Sequence, residues 1–108
     1  MDALDRETVQ QLLDMADGDE SFVRDVLATY VEQSRDQMRT LRAAFAARNH
    51  HSATRAAHSL AGASLNVGAI AVATLCRRIE ASAATDTRDV AAVEAELERV
   101  CDEALMRG

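Results

Sequence analysis

Of the three histidines in the chain, His58 is set apart by what surrounds it. The stripe Ala53, Ala57, Leu60, Ser64 and Val67 follows helical spacing. At about 100° per residue His58 lies roughly 160° around that helix from Leu60, so its imidazole faces solvent. The residues three, four or seven positions away on that side are Thr54, Arg55, Ala61, Gly62 and Leu65, a bare patch for a helix surface. Gly62 costs about 0.5 to 1 kcal/mol relative to alanine inside a helix, and its missing side chain clears the space one turn beyond the ring. Close approach by another backbone or by a phosphate accounts for it. Leu65, within about 20° of His58, puts an apolar side chain where the pattern asks for a polar one. An imidazole with an unperturbed pKa of about 6.5 keeps much of its population neutral near pH 7 and needs no base to expose a lone pair. The patch therefore reads as a docking surface around a reachable nucleophile. An ordinary surface histidine beside a glycine kept for tight helix packing fits the same spacing.

Other chemistries find little support. His50 and His51 are adjacent, point about 100° apart and suit capping or surface roles better than a shared metal site. No Glu-x-x-His pair marks a di-iron bundle, and no GxxxxGK[ST] loop or GxGxxG turn offers a nucleotide cradle. Cys76 and Cys101 lie too far apart in sequence for a metal knuckle and fall on apolar helix faces, which predicts buried reduced thiols. A net charge of −6 and only three aromatic residues, Phe22, Tyr30 and Phe45, argue against a nucleic-acid surface and favour a protein partner. No apolar run approaches the roughly 20 residues a membrane span needs, and Met1 opens into acidic, helix-capping sequence rather than a secretion signal; a cytoplasmic location is expected.

The elements that must position His58 are helical. The 108 residues contain no proline and four glycines and are rich in good helix formers, which predicts one all-α domain over 1–108. Asp5 caps a short helix over about 6–16, ended by Gly18. Asp17 or Asp19 caps a second helix to about 47, with Val23, Leu27, Tyr30, Ser34, Met38, Leu41 and Phe45 inward. Asn49 caps a third over about 51–66, carrying His58. A fourth follows Gly68 with Val72, Leu75, Cys76, Ile79 and Ala83 inward, until Thr85-Asp86-Thr87 interrupts it. The fifth, from about Arg88, turns Val90, Val93, Leu97, Val100, Cys101, Ala104 and Leu105 inward. One apolar stripe per helix and short loops predict an antiparallel up-down four-helix bundle with the short first helix covering one end.

The run AAHSLAGASLNVGA, Ala56 to Ala69, resembles the signature of histidine-containing phosphotransfer domains of multistep two-component signalling. That signature has a histidine, an aliphatic two residues on, a glycine four on, then an aliphatic-Gly-Ala. Gly18, Asp19 and Phe22 are similar to the family's start of the second helix, and LCRRIE, Leu75 to Glu80, resembles its fourth. The resemblance implies that His58 carries a phosphoryl group on Nε2, and that Gly62 leaves room for the aspartyl phosphate of a receiver domain. Glu80 falls where the family often has Gln or Glu, placed to orient the imidazole or contact the partner; a solvated glutamate is the plain alternative. It further implies a monomer that relays phosphate between a hybrid histidine kinase and a response-regulator receiver domain. No cofactor or ATP site of its own is implied, and Mg²⁺ is expected on the receiver. The family's usual lysine three residues after the histidine is Ala61 here, and Arg55, one turn before His58, is the candidate replacement. Two other readings share the scaffold: a non-catalytic receiver- or kinase-binding module, and the phosphoacceptor domain of a chemotaxis-type kinase. Met1 and compact ends favour a free-standing protein.

Overall fold

A computed structural model describes residues 2–107, and among them every regular element is a helix: α1 (Arg6–Met15), α2 (Glu20–Ala46), α3 (His50–Val67), α4 (Ile70–Ala81) and α5 (Thr87–Arg107). The helix starts follow from short polar side chains that accept from otherwise unpaired backbone N–H groups. Asp5 accepts from the Thr8 N–H, Asp19 from Ser21 and Asn49 from Ser52. Of the two caps considered for α2, Asp19 does the work, while Asp17 takes a positive φ of 52° in the turn before it.

The end of α3 requires its glycine. The Ala69 N–H donates to the Ser64 carbonyl and the Gly68 N–H to that of Leu65, which closes the helix with Gly68 in the left-handed conformation at φ 83°. A Cβ at Gly68 would stand 2.9 Å from Thr8 Cβ, because the Gly68 carbonyl accepts from the Asp5 N–H and draws the start of α1 onto the end of α3. The short first helix thereby closes one end of the bundle, packing on α2 and α3.

The four long helices form a ring in which α2 packs on α3, α3 on α4, α4 on α5 and α5 back on α2. Cross-helix pairs give the directions. Tyr30 meets Ser64, His58 meets Glu80, Arg78 meets Asp89 and Arg42 meets Glu94. The first three pairs each join residues at nearly equal distances from the short loop between their helices, so chain neighbours run antiparallel. One core fills the ring, built around Leu27, Leu41, Leu60, Val72, Ile79, Val93 and Val100, with small alanines between the helices.

Two expected core positions fall elsewhere. Ala83 is exposed because α4 stops at Ala81 and Ala83 itself takes a positive φ of 56°; the next residue, Ala84, is the buried one. Leu105 is exposed because the inward face of the last turn of α5 is taken by Cys101 and Ala104. Leu105 instead lies over a shallow surface groove with Ala28, Val31 and Glu32 of α2. Both cysteines are free and buried, and burial pushes the Cys76 thiol up to about 12.

Candidate functional site

His58 stands on the outer face of α3 with its side chain 69% exposed, on the edge that meets α4. Two α4 side chains reach it. Glu80 Oε2 lies 3.3 Å from Nδ1 and Arg77 Nη1 lies 3.2 Å from the same atom, while Arg77 Nη1 donates to Glu80 Oε1 at 2.9 Å. Among the described residues every hydrogen bond to the ring falls on Nδ1, and Nε2 has no partner. When Nδ1 carries the hydrogen and donates to the Glu80 carboxylate, the Nε2 lone pair points outward and is available for attack.

Beneath the site α3 is pinned to α2 by a buried pair, Tyr30 Oη and Ser64 Oγ at 2.7 Å. Both hydroxyls are buried, and their mutual bond removes the penalty of burying either alone. With Leu60, Ala57 and Ala53 fully buried along the same helix, the backbone that carries His58 is held on its whole inner face.

The patch expected around His58 is partly assembled. Gly62 is exposed, and a Cβ there would meet no atom within 4 Å. The packing explanation for this glycine therefore fails, since no neighbouring helix needs its missing side chain. Leu65 is 48% exposed, as its angle required. Arg55 is exposed but is not brought to the ring; among the described residues it forms no hydrogen bond or ion pair with His58 or Glu80.

Ala61 does not belong to the exposed patch: it is 0% exposed. The buried arc of α3 is bounded by two neighbouring helices, and on the α4 side it extends to about 100° from Leu60, which includes position 61. The methyl group is thus a packing surface for α4 rather than a contact for a partner.

Arg77 and Ile70 were not singled out by sequence reasoning. Arg77 sits one turn before Glu80, an i, i+3 pair, so any geometry that brings Glu80 to His58 carries Arg77 with it. Ile70 is about half exposed and lies seven residues before Arg77, as Leu65 lies seven after His58. In antiparallel helices those two offsets run the same way, so the apolar pair Leu65 and Ile70 lies about 10 Å along the bundle from the His58–Arg77 pair. On the other flank of α3 a groove lined by Phe22, Val26, Tyr30, Ala63 and Asn66 leaves the Phe22 ring partly exposed.

A model of the Hpt domain matches residues 25–103. The chain belongs to the Hpt domain family. Comparison with curated proteins finds no match. Among solved structures it is similar to the crystal structure of histidine-containing phosphotransfer protein B (HptB) from Pseudomonas aeruginosa PAO1. The two superpose with a TM-score of 0.80 at 27% identity, over 97% of this chain and 90% of that one. Hpt domains are the histidine phosphotransfer intermediates of two-component signalling, they interact with receiver domains and kinases, and this chain has their helical bundle. No described helix is long and apolar enough to cross a membrane.

Proposed function

We propose that His58 is the phosphoacceptor of this Hpt domain and passes a phosphoryl group between receiver-domain aspartates of a multistep phosphorelay. The observation that carries the reading is the one-sided hydrogen bonding of its ring. Glu80 engages Nδ1, Nε2 is left open, and the helix surface one turn on is cleared at Gly62. In the transfer step the Nε2 lone pair attacks the phosphorus of an aspartyl phosphate. The N–P bond forms as the P–O bond breaks, and the electron pair leaves with the aspartate carboxylate. The ring keeps its Nδ1 hydrogen and gains a positive charge, which the adjacent Glu80 carboxylate offsets. Such transfer asks for in-line positioning and neutralisation of phosphoryl charge rather than covalent assistance.

The phosphoryl group comes from outside the chain in this reading. A hybrid histidine kinase and a response-regulator receiver are the partners, and the magnesium ion belongs to the receiver. Leu65, Gly62 and Ile70 form the apolar part of the surface on which the receiver docks, with Arg55 at its rim, and the domain works as a cytoplasmic monomer. Incubation with a kinase–receiver mixture and labelled ATP tests this. Wild type should take up label, and the His58→Gln variant should bind the receiver with similar affinity yet take up none. Equal labelling of the variant would overturn the assignment.

A further inference from the structure

The contacts of Arg77 and Glu80 with Nδ1 of His58 are mutually exclusive. Glu80 accepts from Nδ1 only when that atom bears the hydrogen, and Arg77 donates to it only when it does not. The two contacts therefore belong to opposite ring tautomers. With hydrogen on Nδ1, the reactive form, Arg77 has no acceptor at that atom. It remains tethered to Glu80 Oε1 at 2.9 Å, about half exposed, and among the described residues its other N–H groups are unengaged. Attack by Nε2 thus requires the form in which a guanidinium held beside the ring is released from it.

We propose that Arg77 is the cation that holds the phosphoryl group on His58, supplying from α4 the charge that Ala61 cannot supply from α3. The proposal rests on His58 being the phosphoacceptor. Three observations single out Arg77. It is the arginine that reaches the imidazole, with Nη1 3.2 Å from Nδ1. Arg55, the candidate on α3 itself, makes no such contact. Arg78, its neighbour in sequence, is directed to Asp89 on α5 at 3.5 Å. The planar fork of a guanidinium can keep one N–H on Glu80 and turn others to phosphate oxygens, which a lysine ammonium does less well. Glu80 then serves both partners: one carboxylate oxygen fixes the ring tautomer and the other aims the cation.

A partner-free reaction tests this without involving docking. The intact protein is treated with phosphoramidate, a small phosphoryl donor, and formation of acid-labile phosphohistidine is followed by phosphorus NMR alongside the side-chain nitrogen signals of its arginines. Losing one charged donor from a half-exposed site should slow formation on His58 about tenfold in Arg77→Gln. Arg77→Lys should recover part of the rate, and far-ultraviolet circular dichroism should be unchanged. Removing the competing tautomer works in the opposite direction, by about a factor of two if both ring forms are equally populated, so loss of the cation dominates. In wild type the Arg77 Nε–H signal should shift and exchange more slowly with water once His58 is phosphorylated. Wild-type kinetics in Arg77→Gln with an unmoved Arg77 signal would overturn the proposal while leaving His58 in place. Transfer of the effect to Arg55→Gln would also overturn it. Phosphohistidine that persists in His58→Gln would overturn the underlying reading instead.

Discussion

Gly62 offers a prediction in which stability and function move in opposite directions. In mid-helix a glycine costs about 0.5 to 1 kcal/mol relative to alanine through backbone entropy. That gain is usually offset where the new Cβ meets a neighbour, but here nothing lies within 4 Å of it and the backbone is ordinary right-handed helix. Gly62→Ala should therefore stabilise the fold by nearly the full amount, about 0.5 to 1 kcal/mol, raising Tm by roughly 2 to 6 °C for a domain of this size. Gly62→Lys should be about as stable, since lysine is a good helix former with open space to enter. Its side chain would cover the surface one turn from His58 and should weaken receiver binding at least about tenfold, a loss of roughly 1.4 kcal/mol. Thermal melts and isothermal titration against the receiver domain would measure both effects. Destabilisation by alanine would show that the glycine is kept for packing after all, and undiminished receiver binding by the lysine variant would show that nothing docks there.

Leu65→Asp and Ile70→Asp each change a half-exposed side chain, so stability should shift by no more than about 0.5 kcal/mol while receiver affinity falls several-fold, read by titration. Tyr30→Phe leaves the Ser64 hydroxyl buried without its partner and should cost about 1 to 2 kcal/mol in urea unfolding, whereas adding Ser64→Ala should recover part of that loss. Cys76, pushed up to about 12 by burial, should resist alkylation at pH 8 in the folded state and react fully in urea. Because its folded pKa is raised above the ordinary 9.0, the stability linked to this thiol is fully present below pH 9 and is lost as pH rises toward 12; a Tm measured across that range should fall, and should fall less in Cys76→Ala.

Much of the scaffold could be read directly from the residues, because its determinants are local. Asp5, Asp19 and Asn49 cap helices through side chains that reach only two or three residues ahead, and Gly68 ends α3 through its own φ. The exposed side of α3 was equally legible, since angle alone places His58, Gly62 and Leu65 outward. What escaped was set by neighbouring helices. Ala61 lies at the edge of the stripe, and only the position of α4 decides that it is covered. Arg77 depends on the register of α4 against α3: once Glu80 stands at the ring, its i, i+3 spacing brings Arg77 there too, while Arg78, about 100° further round, goes to Asp89. The two explanations of Gly62 were likewise separable only once the empty space around its Cα was seen.

The central claim is tested most directly by finding the atom that carries phosphate. After transfer from a phosphorylated receiver, the account predicts one phosphoryl group per chain, acid-labile and alkali-stable, with phosphorus NMR correlations placing it on Nε2 of His58 and none formed in His58→Gln. Phosphate found on Nδ1, on another residue, or undiminished in that variant would contradict it.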